Sequence, residues 1–199
     1  MSQPEISSRP VGFAVFLLVA GTIGWIAAFA LTVEKFVSLE SPGVALSCDY
    51  SVLVQCAANL SSWQGAAFGF PNPVLGLAGW VAPIMVGGAL LAGARFDRWF
   101  LLLFQLGVTA AFAFVLWLIS QSIFVLGTLC PWCMVTWAVT IPLFWAVTLR
   151  NLANGILPVP RSIRSAARVL SGWIVVLTFG CYVVIAVLAQ LRLDVLATL

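Results

Sequence analysis

The chain has 199 residues, 63% of them hydrophobic and only 8% charged, with a mean hydropathy of +1.14. A soluble domain carries about 25% charged residues, and a chain this short cannot hide so much apolar surface from water, so lipid must be part of its solvent. The net charge of +3 is too small and too scattered for a nucleic-acid binder, and the absence of His excludes His-ligated haem, His-based metal sites and His general bases.

Taken in chain order, five segments reach the roughly 20 apolar residues that a spanning helix needs. They run over about 11–33, 74–94, 99–120, 129–149 and 169–191, none with a charge in its central part. The first is expected to stay as an anchor. Ala28-Phe29-Ala30 resembles a cleavage site, but the apolar run exceeds the roughly 7–15 residues of a signal-peptide core. A long loop, Glu34 to Pro73, follows it. Its Val, Leu, Trp and Phe content is too high for a disordered tail, and long loops in compact folds are usually functional. Within it, Ser61-Ser62 followed by Trp63, Ala66, Ala67 and Phe68 predicts a short helix over Leu60–Phe68 at the membrane surface. Gly69-Phe70-Pro71-Asn72-Pro73 then turns the chain into the second span. There is no internal repeat and no second soluble domain, so the expectation is one all-α, polytopic domain over 1–199.

Orientation follows from Lys and Arg. With the N-terminus inside, the inner side carries Arg9, Arg95, Arg98, Arg150, Arg161, Arg164 and Arg168, and the outer side only Lys35 and Arg192. Cys48, Cys56, Cys130 and Cys133 then all fall on the outer side, where disulfides are permitted at a bacterial inner membrane or in the lumen of the endoplasmic reticulum. Cys181 falls inside the fifth span and reads as a small apolar residue.

The stretch Cys130-Pro131-Trp132-Cys133 has a mechanical logic. Pro131 suits a first helical turn, which leaves Cys130 at the helix N-terminus, where free N–H groups favour a thiolate. Cys133 lies one turn deeper on the same face, toward the lipid-soluble redox partners of a bilayer. Two bland readings stand beside this. Four Cys could bind zinc, although eight residues separate Cys48 from Cys56, outside the usual spacer. Cys48 and Cys56 could also form a static staple, a reading weakened by a second dithiol close enough to exchange with the first.

These residues together resemble the vitamin K epoxide reductase (VKOR) family in its bacterial disulfide-forming branch. The resemblance rests on the loop pair Cys48…Cys56, on the stretch from Cys56 through Ser61-Ser62 to Phe68-Gly69, on Asn72-Pro-Val-Leu-Gly at the entry to the second span, and on Cys130-Pro-Trp-Cys133. It implies a four-helix bundle around a quinone, capped by the loop pair and the short helix, with the fifth span peripheral. Relatives often carry a fused thioredoxin-like domain after that span. This sequence ends at Leu199 without one, so the implied partner is a separate DsbA-like or thioredoxin-fold protein on the external face. Trp137 stands where vertebrate members have a Tyr, and epoxide reduction is not expected.

The resemblance further implies a membrane thiol oxidase of the bacterial inner membrane, with its N-terminus cytoplasmic and its active site external. A partner thiolate would attack the Cys48–Cys56 disulfide at Cys48, expected to be the more exposed sulfur. Cys56 would then attack Cys130, freeing Cys133 to pass electrons to a quinone of menaquinone, phylloquinone-like or ubiquinone type. Asn72 is the expected hydrogen-bond donor to a quinone carbonyl. Ser62 is expected to cap the short helix or support the site, and Trp63, Phe68 and Trp137 to wall the ring. Two rivals differ in kind. A DsbB-type quinone reductase would place its CxxC after the first span, and a disulfide-stapled scaffold or small transporter would hold static disulfides and no quinone.

Overall fold

The computed structural model describes residues 11–198; Arg9, counted above in the inner charge, lies outside them. Five helices are long and apolar enough to cross a membrane: Val11–Glu40, Asn72–Leu91, Arg98–Leu126, Pro131–Ala153 and Ile174–Leu193. In order the elements are α1 (Val11–Glu40), α2 (Ala57–Ser61), a 3-10 turn (Trp63–Ala66), α3 (Asn72–Gly79), α4 (Val81–Leu91), α5 (Arg98–Gln121), a π turn (Ser122–Leu126), α6 (Pro131–Ala153), α7 (Arg161–Ser171), α8 (Ile174–Leu193) and α9 (Val195–Thr198). The fold is all-helical, as expected.

Two boundaries differ from the sequence reading, each for a physical reason. α1 runs on past Val33 to Glu40 because Glu34 is not a loop charge. It is buried, and its carboxylate accepts from the backbone N–H and the hydroxyl of Ser47. A satisfied carboxylate can remain on a helix, so the loop is correspondingly shorter. The fifth span begins at Ile174 rather than near residue 169. The preceding stretch is a separate helix, α7, whose Arg161, Arg164 and Arg168 recur at helical spacing on one face. The sequence reading had merged Val169 and Leu170 with the apolar run that follows.

The bundle core is built from all four of the expected spans. Leu17 of α1, Val86 of α4, Val108 of α5 and Leu143 and Val147 of α6 form one buried cluster. Below it, Gln105 of α5 donates to Thr148 Oγ1 at 2.9 Å and accepts from Asn151 Nδ2 at 3.0 Å. Such amides tie helices together where lipid offers no alternative partner.

α1 packs closely on the second span through small residues. The Trp80 ring occupies the space a Cβ would need at Gly24, and a Cβ at Gly87 would stand 2.7 Å from the Ala14 carbonyl oxygen. Trp80 also marks the break between α3 and α4. Pro83, three residues on, lacks an N–H and its ring crowds the carbonyl of Gly79, so the helix cannot run through.

The fifth span is peripheral. α8 lies against α6 and the turn that follows α5. Pro142 inside α6 leaves the Ala138 carbonyl without its helical donor. The Tyr182 hydroxyl of α8 donates to that carbonyl. A lipid-facing backbone group must be satisfied within the protein, so this one bond both repairs α6 and docks α8.

The Gly87 contact is with backbone and cannot be relieved by a side-chain rotation. Gly87→Ala is therefore expected to cost about 1–3 kcal/mol, typical of overpacking, read as a lowered melting temperature of the detergent-purified protein. An unchanged melt would mean that α1 and α4 are less tightly apposed.

Candidate redox site

The site is assembled from three pieces of chain. The first is the loop after α1. Its Asp49 carboxylate is the organising group: one oxygen accepts from Leu46 N–H at 2.9 Å, the other from Cys56 N–H at 2.7 Å and Ala57 N–H at 3.1 Å. Burial works to raise the Asp49 pKa, but the three backbone N–H bonds outweigh it and hold the carboxyl below its usual value. Asp49 thus folds the loop back on itself and caps α2, with Cys48 and Cys56 5.7 Å apart between Cα atoms and joined by a disulfide.

The second piece is the segment between the π turn and α6. Gly127 adopts a left-handed conformation, φ 68°, which ends the helix, and the Ser122 hydroxyl donates to the Thr128 carbonyl. The chain is then extended for one residue, Leu129, which pairs with the loop in a parallel bridge opposite Val54. Leu129 N–H donates to Leu53 O at 2.8 Å, and Gln55 N–H donates to Leu129 O at 3.0 Å. Asn59 Nδ2 adds a bond to Thr128 Oγ1 at 3.0 Å. The bridge places Cys56 beside Cys130, with the two sulfurs 3.3 Å apart.

The third piece is the start of α6. Cys130 is the N-cap and Pro131 the first helical residue, as the spacing predicts; the Cys133 N–H donates to Cys130 Sγ at 3.4 Å. Cys130 sits one residue ahead of the spanning helix. Its thiol is held below the usual range chiefly by hydrogen bonding from the Cys133 side chain; burial opposes this, and the N–H groups of Cys133 and Trp132 add to it. Cys130 and Cys133 are free thiols, as is Cys181, which lies in α8.

Beneath the cysteines the bundle lines a partly open cavity of about 900 Å³. Its walls are mainly apolar, and Cys133 lies on them together with Asn72, Ser62, Phe68 and Trp137. A volume at the upper end of ligand cavities, with few polar groups and one reactive sulfur, fits a large flat apolar ligand.

The sequence profile of the vitamin K epoxide reductase family matches residues 15–148. This chain belongs to the vitamin K epoxide reductase family. The matched span covers four of the membrane helices and all four loop and CxxC cysteines. No curated protein matches the chain. Membership places it among membrane oxidoreductases that link disulfide chemistry to quinones.

Within this VKOR-family frame each expected residue has a definite place. Ser62 caps the 3-10 turn, accepting from Gly65 N–H at 3.1 Å. Asn72 is a staple: its Nδ2 donates to Gln64 O at 2.6 Å and its Oδ1 accepts from Ala67 N–H at 3.2 Å, which fastens the cap to the second span. One Asn72 N–H is left over. Trp137 is buried, and Phe68 packs on Phe114. Trp63 does not wall the cavity. Its ring is 68% exposed and leans outward on Trp117, because the short helix ends at Ser61 and the tighter 3-10 turn rotates the next residue out. Cys48, expected to be the more exposed of the loop pair, is 2% exposed against 0% for Cys56, so both sulfurs are buried. The loop is folded over them, held by Glu34 on Ser47 and by Lys35 Nζ on Leu60 O at 2.8 Å.

Three contributors escaped the sequence reading. Asp49 belongs to no motif that the sequence offers. Gln64 and Gln121 line the cavity, with Gln64 Nε2 donating to Gln121 Oε1 at 3.3 Å while Gln64 Oε1 is buried with no partner. The only available signal was a polar residue amid an apolar stretch. Cys48, Asp49 and Cys56 also offer ligand atoms within 4.8 Å of one another. The two sulfurs are spent on a disulfide and both carboxylate oxygens on backbone N–H groups, so as folded this is not a metal donor set.

Because the folded Asp49 carboxyl titrates below its unfolded value, its contribution to loop stability is complete above about pH 3.9 and is lost as pH falls through the lower folded value. Amide exchange at Leu46, Cys56 and Ala57 is expected to show constant protection from neutral pH to about pH 4 and falling protection below. In Asp49→Ala that protection should be low throughout.

Proposed function

We propose that this protein is a membrane thiol oxidase that moves electrons from a reduced thioredoxin-fold protein on the external face, through Cys48/Cys56 and then Cys130/Cys133, to a membrane quinone. The observation that carries this reading is the 3.3 Å approach of Cys130 Sγ to Cys56 Sγ, with Cys133 on the wall of the large apolar cavity. Reacting atoms at about 3–3.5 Å are within attack range.

The exchange steps balance as follows. A partner thiolate attacks Cys48 Sγ, the Cys48–Cys56 bond breaks, and Cys56 leaves as a thiolate. The partner's second thiol resolves the mixed disulfide, so the partner is oxidised and the loop pair reduced. Cys56 then attacks Cys130 of an oxidised Cys130–Cys133 pair, and Cys133 leaves. Cys48 attacks Cys56 in turn, which restores the loop disulfide and releases Cys130. The loop pair is again oxidised and the inner pair holds both electrons, the arrangement of sulfurs described above. Exchange of this kind runs through thiolates, so the lowered Cys130 pKa favours it. The buried state of Cys48 means that the loop must open to admit the partner.

A quinone supplies the oxidant, accepting two electrons and two protons to become quinol. The residues that fit it are Cys133 near its ring, Trp137 and Phe68 as walls, and the remaining Asn72 N–H with the Gln64 and Gln121 amides as polar anchors. The buried Gln64 Oε1, an acceptor with no partner, would be satisfied by the hydroxyl of a quinol, whereas a quinone carbonyl could only accept from an amide N–H.

The test is quinol formation by the purified protein with a reduced thioredoxin-fold partner. The intact protein should form quinol, and Cys130→Ser and Cys133→Ser should fall to background. Untouched quinone with the Cys48–Cys56 and Cys130–Cys133 pairs both locked as disulfides would leave a stapled scaffold instead. In Cys133→Ala the Cys130 thiolate can still attack Cys56 of the loop disulfide with Cys48 as leaving group, so a Cys56–Cys130 mixed disulfide should form, visible by mass spectrometry of alkylated peptides. A Cys48–Cys130 link in its place would reverse the order of the loop pair.

A further inference from the structure

The end of the bundle opposite the cysteines holds a second cavity, of about 220 Å³, to which α1, α4, α5 and α6 all contribute. Its polar lining is unusual for a helix bundle: two guanidinium groups, Arg95 and Arg150, and the amides of Asn151 and Asn154, with no carboxylate among the lining residues. Phe13, Leu90 and Phe104 supply apolar wall.

Arg150 is half-buried, and its guanidinium lies over the Phe13 ring, 4.4 Å from the centroid, which fixes its position. Among the described residues neither Arg95 nor Arg150 has a side-chain hydrogen bond or ion pair. Nearby Arg98 contrasts with them, its Nε donating to Ile156 O at 2.9 Å. Asn151 is engaged with Gln105, whereas the Asn154 amide has no such bond. A guanidinium carries five donors and no acceptor. Two of them on the lining of one small cavity, beside an amide with no side-chain hydrogen bond, offer a site for an oxyanion, and phosphate matches the guanidinium fork.

The neighbouring helix indicates where the phosphate comes from. α7 carries Arg161, Arg164 and Arg168 on one face and leaves Ile163 and Leu170 exposed on the other. A short helix with a basic face and an exposed apolar face lies in the plane of the membrane surface, at the level of the headgroups. It packs on α6, whose last turn supplies Arg150. Among the described residues the acid at this end is Asp97 alone, against Arg95, Arg98, Arg150, Arg161, Arg164 and Arg168. A basic pocket between spanning helices at headgroup depth is the usual setting for anionic lipid recognition.

We infer that this cavity binds the phosphate of an anionic phospholipid headgroup, held by Arg95 and Arg150, with α7 flanking it at the membrane surface. The site shares no residue with the cysteine loop or the CxxC turn, and its two arginines lie off the large cavity, with which it has only the apolar Val86 and Phe104 in common.

The test uses the full chain, delipidated in a neutral detergent, with phosphatidylglycerol, phosphatidylcholine or inorganic phosphate added separately. Native mass spectrometry should show one phosphatidylglycerol retained preferentially over phosphatidylcholine, accompanied by a rise in melting temperature that inorganic phosphate does not reproduce. Arg95→Gln should weaken that retention at least about ten-fold, the loss expected for one charge-assisted bond. Arg95 is exposed, so this variant is expected to fold; Arg150→Gln is the second variant, its folding checked by the same melt. Equal retention of both lipids, wild-type retention in folded Arg95→Gln and Arg150→Gln, or a full effect from inorganic phosphate alone would each overturn the lipid assignment.

Discussion

A single parallel bridge sets the chemistry of this molecule. Leu129 exchanges two backbone hydrogen bonds with the loop, to Leu53 and from Gln55. Because Cys56 follows Gln55 and Cys130 follows Leu129, that register alone decides which loop sulfur meets the CxxC pair. A shift of one residue would turn the side chains to the opposite face and carry Cys56 away from Cys130. The loop has little regular structure of its own to resist such slippage. Asp49 supplies the resistance, using three backbone N–H groups to tie the segment around the disulfide into a compact unit.

The same accounting of polar groups governs the rest of the fold. In lipid no backbone or amide group can turn to water for a partner. Pro142 opens a gap in α6, and Tyr182 fills it from α8. Asn72 binds two backbone groups of the cap and so closes the top of the large cavity. Gln105 and Asn151 knit α5 to α6. Each of these bonds joins elements that apolar packing alone would leave free to slide, and together they hold a rigid shell around a cavity that must not collapse. The Gln64 oxygen on the cavity wall is left without a partner, as are Trp145 Nε1 and Thr178 Oγ1 among the spanning helices.

The division between two ends of one bundle is also physical. One end gathers sulfur and backbone amides and buries almost every reactive atom. The other gathers arginines with few partners and keeps them near the surface. Redox exchange needs exclusion of water and close sulfur contact, whereas contact with a charged lipid surface needs accessible cations.

By itself the sequence determined the solvent, the number of spans, the all-helical class and the start of a helix at the Cys130–Cys133 stretch. All of these follow from local composition and spacing: twenty apolar residues span a bilayer in any context, and Pro131 after Cys130 starts a helix whatever surrounds it. Tertiary structure decided the rest. Glu34 extends α1 only because Ser47 returns to it, and Trp63 points outward only because a 3-10 turn replaces the expected helix. The burial of Cys48, the capping by Asp49 and the pairing of Gln64 with Gln121 depend on residues brought together from distant parts of the chain. α7 was local and legible in principle, but its arginine period adjoined an apolar run that hid where one helix stopped and the next began. Spacing specifies which face a side chain takes; only the docking of loop on bundle specifies what it meets there.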